Sequence, residues 1–218
     1  MRAVVFDMDG LMIDTEGLYW AVGRQMALDF GKEVQDETLG QMMGRAPLDS
    51  VSIYARALGL SQSPEELLEM REARVMQAMQ KGIEPMPGLF EVLETFKPKF
   101  KLAIATSAPM RFLNVVLEGL GLRRYFDALQ TSDDITHGKP HPEIYLRAMA
   151  KLNIPPAECF VLEDSSNGAL AGKRAGAYTI AVPSQYTRLQ DFKFVDFVAK
   201  DLLDAATHIE SMTGRPAV

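Results

Sequence analysis

Asp7 and Asp9 stand one residue apart at the end of the apolar run Val4-Val5-Phe6, and Gly10 follows them. Carboxylates at the end of a buried strand are costly unless something compensates them. Two other apolar runs end in the same way. Thr106 and Ser107 close Leu102-Ala103-Ile104-Ala105, and Glu163, Asp164 and Ser165 close Cys159-Phe160-Val161-Leu162. Lys139 lies in a Gly-Lys-Pro turn. If the strands are neighbours, Asp7, Asp9 and Asp164 converge at one sheet edge. Like charges held together repel, so a cation is expected among them, and an all-oxygen ligand set suits Mg2+. The Thr106 hydroxyl, nearby backbone N–H groups and Lys139 supply the donors and positive charge that a phosphate needs. In such a site one aspartate can attack phosphorus and form an aspartyl-phosphate. A second can protonate the leaving oxygen and then activate water.

Taken singly, each of these residues has a plainer reading. An Asp-x-Asp pair serves turns and helix caps, Thr106 and Ser107 ahead of Pro109 can cap a helix, and a lone lysine is usually solvated. Their joint placement after buried runs is what points to chemistry. The remaining polar residues carry less. His137 and His141 flank Lys139, but two histidines without a third ligand make a poor zinc site, so turn hydrogen bonds are expected of them. His208 is expected at the surface. Ser165 and Asn167 are expected to orient Asp164 or to cap a helix. The segments 71–74 and 97–101 read as solvated basic faces.

The elements that must position these residues follow from hydrophobic periodicity. Strands are expected at 3–6, 101–106, 159–163 and 178–182, with a last one within 194–198. Helices are expected at 18–30, 48–58, 64–81, 89–96, 109–119, 142–152 and 168–175. The block between the first strand and Glu84-Pro85-Met86-Pro87-Gly88 contains helices only, and that Pro/Gly punctuation ends it. Strands alternating with helices imply a parallel sheet covered on both faces. The fold class is therefore α/β: a Rossmann-like parallel sheet core, residues 1–14 and 85–218, with an inserted α-helical cap domain, residues 15–84. Ligands of such sheets bind beyond the carboxyl ends of the strands, where the acids, Thr106 and Ser107 fall.

Composition bounds the partners. The chain has 218 residues, 47% of them hydrophobic, and a net charge of -6. That is ample for a core and argues against nucleic acid or an anionic membrane as a general partner. A small phosphorylated ligand needs only a local positive site. The single Cys159 can form no internal disulfide and reads as a buried small side chain. No apolar stretch approaches the ~18 residues of a membrane span. A cytoplasmic monomer is expected.

The segments Val4–Glu16, Ala103–Ser107, Gly138–Tyr145 and Val161–Gly168 resemble the four ordered motifs of the haloacid dehalogenase superfamily, and the helical insert resembles its small α-helical cap. The resemblance implies that Asp7 is the nucleophile and Asp9 the general acid and base. It implies that Thr106 and Lys139 hold the transferring phosphate, with Ser107 and Ala108 offering backbone donors. Asp164, Asp7 and the main-chain carbonyl of Asp9 would bind Mg2+. Glu163 would be a further carboxylate at the metal edge, either a ligand or a partner of one. The dehalogenases of the superfamily lack an acid at the position of Asp9, so Asp9 points to phosphoryl transfer.

Within the superfamily the chain is similar to β-phosphoglucomutase-like proteins and to small-metabolite phosphatases, including the pseudouridine-5'-phosphatase type. The mutases carry a cap histidine where this chain has Tyr19 and a cap arginine where it has Pro47. Arg45, two residues away, is the cation of that segment, and Met43 and Tyr19 are candidates to meet substrate. A mutase must hold a bisphosphate and keep water out. The expected activity is therefore Mg2+-dependent hydrolysis of a small phosphorylated metabolite, a sugar or nucleoside monophosphate. Mutase chemistry, or a non-catalytic binding protein of the same fold, are the alternatives.

Overall fold

The structure, a computed structural model, describes residues 1–43 and 47–214. The chain divides into two compact units: Met1–Asp14 with Ile83–Val218, and Thr15–Gly82. In chain order the first strand is β1 (Ala3–Phe6). The second unit follows with helices α1 (Thr15–Asp29), α2 (Asp36–Met42), α3 (Pro47–Leu58) and α4 (Pro64–Lys81). The first unit then resumes with α5 (Leu89–Phe96), β2 (Lys101–Ala105), α6 (Met110–Gly119), β3 (Ala128–Gln130), α7 (Glu143–Leu152), β4 (Cys159–Glu163), α8 (Ser166–Ala175), β5 (Tyr178–Ala181), β6 (Phe197–Val198) and α9 (Leu202–Thr213).

The six strands form one sheet in the order β3-β2-β1-β4-β5-β6, and every pairing is parallel. β1 and β4 are buried along their whole lengths, which is why both read as unbroken apolar runs rather than alternating ones. Successive side chains of a strand point to opposite faces. Val5 shares a core cluster with Val161 of β4, Ile144, Tyr145 and Ala148 of α7, and Ala171 of α8. Phe6 lies on the other face, with its ring centroid 6.4 Å from Phe96 of α5 and 6.0 Å from Phe126. A fully buried side chain of this kind stabilises by about 1.5–3 kcal/mol. The sheet runs from β1 to β2 on one side and from β1 to β4 on the other, so the crossovers diverge at β1. A crevice at the carboxyl ends of these three strands is the position where such sheets bind ligands.

In the helical unit the start of α4 is set by local chemistry. Ser63 Oγ accepts from the Glu66 N–H at 3.2 Å, the Glu66 side chain accepts from the Ser63 N–H at 2.9 Å, and Pro64 fills the first turn, where an N–H is not needed. Tyr54 of α3 is buried and donates to the Gly23 carbonyl of α1 at 2.7 Å. Among the described residues no helix is long and apolar enough to cross a membrane.

Two differences from the sequence reading have physical causes. β3 is a three-residue edge strand ending in the buried Gln130, too short and too polar to stand out. His208 is not a plain surface residue. Its ring stacks on Phe197 with centroids 3.8 Å apart, and its Nε2 lies 3.0 Å from the Tyr178 hydroxyl, so it packs α9 against β5 and β6.

Candidate active site

Asp7 follows β1, and its N–H donates to the Leu162 carbonyl at 3.0 Å, continuing the ladder one residue past the strand. Thr106 continues β2 in the same way, donating to the Gln130 carbonyl at 3.0 Å. Glu163 ends β4, and Asp164 is the next residue. Parallel register therefore delivers three strand ends to one edge. Oxygens of Asp7, Glu163 and Asp164 lie within 4.8 Å of one another, and all three residues are buried.

Gly10 makes this approach possible. It has φ +77°, a conformation that side chains resist, and a Cβ there would fall 2.3 Å from Asp164 Oδ2. The turn after β1 can thus fold back over Asp164 only without a side chain at this point.

Lys139 reaches in from the turn before α7. Its Nζ donates to Asp7 Oδ1 at 2.5 Å and to Glu163 Oε1 at 2.6 Å, with the Ala105 carbonyl at 3.4 Å. The lysine side chain is 10% exposed. Its two carboxylate partners hold the ammonium well above the usual lysine range against the opposing effect of burial. Asp7 behaves in the opposite sense. Its carboxyl is raised to about 8, chiefly by burial, with Glu163 and Asp9 adding to the rise and Lys139 pulling against it.

Asp9 is half-buried, and its Oδ2 accepts from the Thr106 hydroxyl at 3.0 Å. Thr106 Oγ1 accepts in turn from the Ala108 N–H at 3.0 Å, which makes that backbone donor a support of the hydroxyl. Ser107 is exposed at the rim.

Glu163 has no exposed surface. Oε1 accepts from Lys139 and from the Tyr145 hydroxyl at 2.8 Å, and Oε2 accepts from the Ser165 N–H and hydroxyl, each at 3.0 Å. Ser165 is therefore turned to Glu163 rather than to Asp164, and it also caps α8 by accepting from the Gly168 N–H at 3.2 Å. A Cβ on Gly168 would lie 1.6 Å from Glu163 Oε1, so the first turn of α8 admits the carboxylate only because that position is glycine. Nothing in the sequence marks Tyr145 for this contact. In Pro142-Glu143-Ile144-Tyr145 it reads as a core aromatic of α7, which it also is.

The helical unit has its own cavity of about 190 Å³. Tyr19 and Met43 line it with Glu16, Trp20, Ser50 and Arg71. Arg45 lies outside the described residues. Arg71 departs from the solvated face expected of it. Its guanidinium carbon is 5.5 Å from the Tyr19 ring centroid and Nη1 donates to Ser50 Oγ at 2.9 Å. Its Nε is buried and makes no hydrogen bond among the described residues.

Residues 4–182 match the family described as haloacid dehalogenase-like hydrolase. The phosphorylated carbohydrates phosphatase of Thermotoga maritima is 37% identical over 177 residues, covering 81% of this chain and 82% of that protein. Hexitol phosphatase B of Escherichia coli (strain K12) is 33% identical over 216 residues, covering 92% and 96%. Among solved structures, CbbY from Rhodobacter sphaeroides in complex with phosphate superposes with a TM-score of 0.80 at 25% identity, covering 93% of this chain and 95% of that one.

Proposed function

The chain belongs to the haloacid dehalogenase-like hydrolases, and from that premise we propose a Mg2+-dependent phosphatase that cleaves a sugar or nucleoside monophosphate through an aspartyl-phosphate on Asp7. It is a hydrolase of small phosphorylated metabolites, as the phosphorylated carbohydrates phosphatase and hexitol phosphatase B are by name. The observation that carries the finer reading is the position of Lys139 Nζ between Asp7 Oδ1 and Glu163 Oε1, beside the Asp9–Thr106 pair.

The residues present fit Mg2+. Asp7 and Asp164 are buried carboxylates whose oxygens lie close together, an all-oxygen donor set of the kind Mg2+ takes. Asp7, Asp164 and the main-chain carbonyl of Asp9 would hold the ion, which neutralises charge on the transferring phosphoryl oxygens. Glu163 has no exposed surface and pairs with Lys139 at 2.6 Å, so we assign it to fixing that ammonium rather than to ligating the metal.

In the first step a carboxylate oxygen of Asp7 attacks phosphorus and the phosphorus–oxygen bond of the ester breaks. Asp9, protonated, gives its proton to the departing alkoxide. Lys139 and Thr106 bind the equatorial phosphate oxygens, so the ammonium exchanges part of its pairing with Asp7 for the substrate. In the second step Asp9, now a carboxylate, takes a proton from water. The water oxygen attacks phosphorus, the bond to Asp7 breaks, and inorganic phosphate leaves. Tyr19 and Met43, lining the cavity of the helical unit, are the residues we assign to substrate selection.

The test is a panel of hexose, hexitol and nucleoside monophosphates, with Mg2+ and with chelator, following free phosphate and dephosphorylated product separately. Equal release of both, abolished by the chelator, supports a metal-dependent phosphatase. Rapid isomerisation of a sugar phosphate with little free phosphate would overturn it in favour of a mutase.

A further inference from the structure

The two histidines that flank Lys139 acquire a third companion in the folded chain. Side-chain ligand atoms of His137, His141 and Glu143 all lie within 4.8 Å of one another. His137 Nδ1 is 3.2 Å from Glu143 Oε2. His141 Nδ1 accepts from the Glu143 N–H at 3.3 Å, a long bond whose lone pair an ion would have to take over. The two imidazole rings are 4.6 Å apart, tilted by 37°.

We propose that His137, His141 and Glu143 form a surface site for a divalent transition-metal ion of the Zn2+ class, separate from the acid cluster of Asp7 and Asp164. Two imidazoles and one carboxylate are a ligand set that zinc favours, with a fourth position left to water. Tetrahedral zinc with bonds of about 2.0–2.1 Å holds its ligand atoms about 3.3 Å apart. The His137–Glu143 separation already matches that spacing, and modest ring rotations close the rest.

The carboxylate is preset for the task. Glu143 opens α7 and accepts from the Thr136 N–H at 3.1 Å (Oε1) and 3.2 Å (Oε2), and from the His137 N–H at 3.0 Å. These bonds, with Arg147, hold its carboxyl down to about 2. Arg147 Nε and Nη2 reach Oε1, at 2.9 and 2.8 Å, while Oε2 faces His137 Nδ1, so an ion would share that oxygen with the Thr136 and His137 N–H groups. Glu143 is therefore ionised and fixed, and the ordering cost of one ligand has been met before any ion arrives. Both histidines are exposed, so an ion can enter from solvent.

The donor chemistry separates the two sites. Oxygen-only clusters select Mg2+ and imidazole selects zinc, nickel or copper. The site also spans Lys139, which lies midway between His137 and His141. A bound ion ties the two ends of that turn together.

The experiment titrates Zn2+ into metal-stripped protein kept in saturating Mg2+, by calorimetry and by thermal shift, for the wild type, His137→Ala and His141→Ala. Neither histidine belongs to the phosphoryl-transfer site, so phosphate release with Mg2+ alone checks that the variants are folded. We expect one Zn2+ per chain in the wild type with a rise in Tm, and at least tenfold weaker binding in each variant. Zinc that displaces Mg2+ from the acid cluster is unaffected by the histidine changes and so does not imitate this result. No zinc binding by the wild type, or binding unchanged in either variant, would overturn the site whatever the outcome for phosphatase activity.

Discussion

The Tyr145 hydroxyl donates to Oε1 of Glu163 at 2.8 Å, and the same oxygen receives Lys139 at 2.6 Å. One buried phenol thus shares in fixing the carboxylate that fixes the lysine. Replacing Tyr145 by Phe leaves the ring in the core and removes a donor to a buried charge. A loss of about 1–3 kcal/mol in unfolding free energy is expected, measured by urea denaturation. An unchanged urea midpoint would show that the phenol adds nothing to this cluster.

The division of labour proposed for the two aspartates after β1 can be tested by substitution. Asp7→Asn is expected to fold and bind substrate but to release no phosphate, because the amide cannot attack phosphorus. Asp9→Asn is expected to slow hydrolysis of a sugar phosphate by about 10²–10⁴-fold. The loss should be far smaller for acetyl phosphate, whose leaving group scarcely needs a proton. Equal losses on both substrates would rule out leaving-group protonation as the role of Asp9.

Gly168 tests how tightly Glu163 is packed. An alanine there would place its Cβ 1.6 Å from Oε1, and the carboxylate cannot withdraw without releasing Lys139, Tyr145 or Ser165. Gly168→Ala is expected to cost about 2–4 kcal/mol of stability and to lower kcat. By contrast, Gly40→Ala, inside α2, meets nothing within 4 Å and should leave kcat in place and raise stability by about 0.5–1 kcal/mol.

Cys159 has no exposed surface, and burial pushes its thiol up to about 11. Ellman's reagent at pH 8 should react slowly with the native chain and fully once urea is added. The sign of the linked stability follows from the neutral thiol being favoured in the fold. That contribution is fully present below pH 9, the usual thiol value, and is lost as pH rises towards 11. Cys159→Ala should remove the thiol's contribution to alkaline destabilisation.

In the helical unit, Arg71 is the group that sequence pattern misplaced, and its buried Nε gives it a use. Tyr19→Ala and Arg71→Ala are expected to change the ranking of substrates in kcat/KM while sparing acetyl phosphate, which has no sugar body to recognise. A uniform loss across all substrates would mean that the two residues only hold the helical unit together.

The legible parts of this molecule are those whose signal is local. β1 and β4 are buried on both faces, so their apolar runs stand out, and the acids that end them mark the carboxyl edge. Asp9, Thr106 and Lys139 could be gathered on paper because strand ends in a parallel sheet meet. What stayed hidden depends on contacts between distant segments. The four donor groups on Glu163 come from Lys139, Tyr145 and Ser165, and Tyr145 looks like any core aromatic of a helix. Glu143 completes a cluster with His137 and His141 only because the turn before α7 folds back on the start of the helix. Arg71 lies in a charged stretch that pattern assigns to solvent, and only the packing of α1, α3 and α4 around it reveals a cavity.

β1 lies between β2 and β4, so its partners are Lys101–Ile104 on one side and Cys159–Leu162 on the other. The ribosome therefore delivers β1 before either neighbour, and β4 more than 150 residues after it. At about 5–20 residues per second that interval is roughly ten to thirty seconds. Until β2 is made, Val4, Val5 and Phe6 form an apolar segment with no strand to pair with, and until β4 is made one edge of β1 stays open, the kind of segment that aggregates when left alone. The strand that ends at Asp7 can acquire both of its neighbours only after Leu162 has been made. A growing chain therefore carries Asp7 long before it has the sheet edge on which that residue depends.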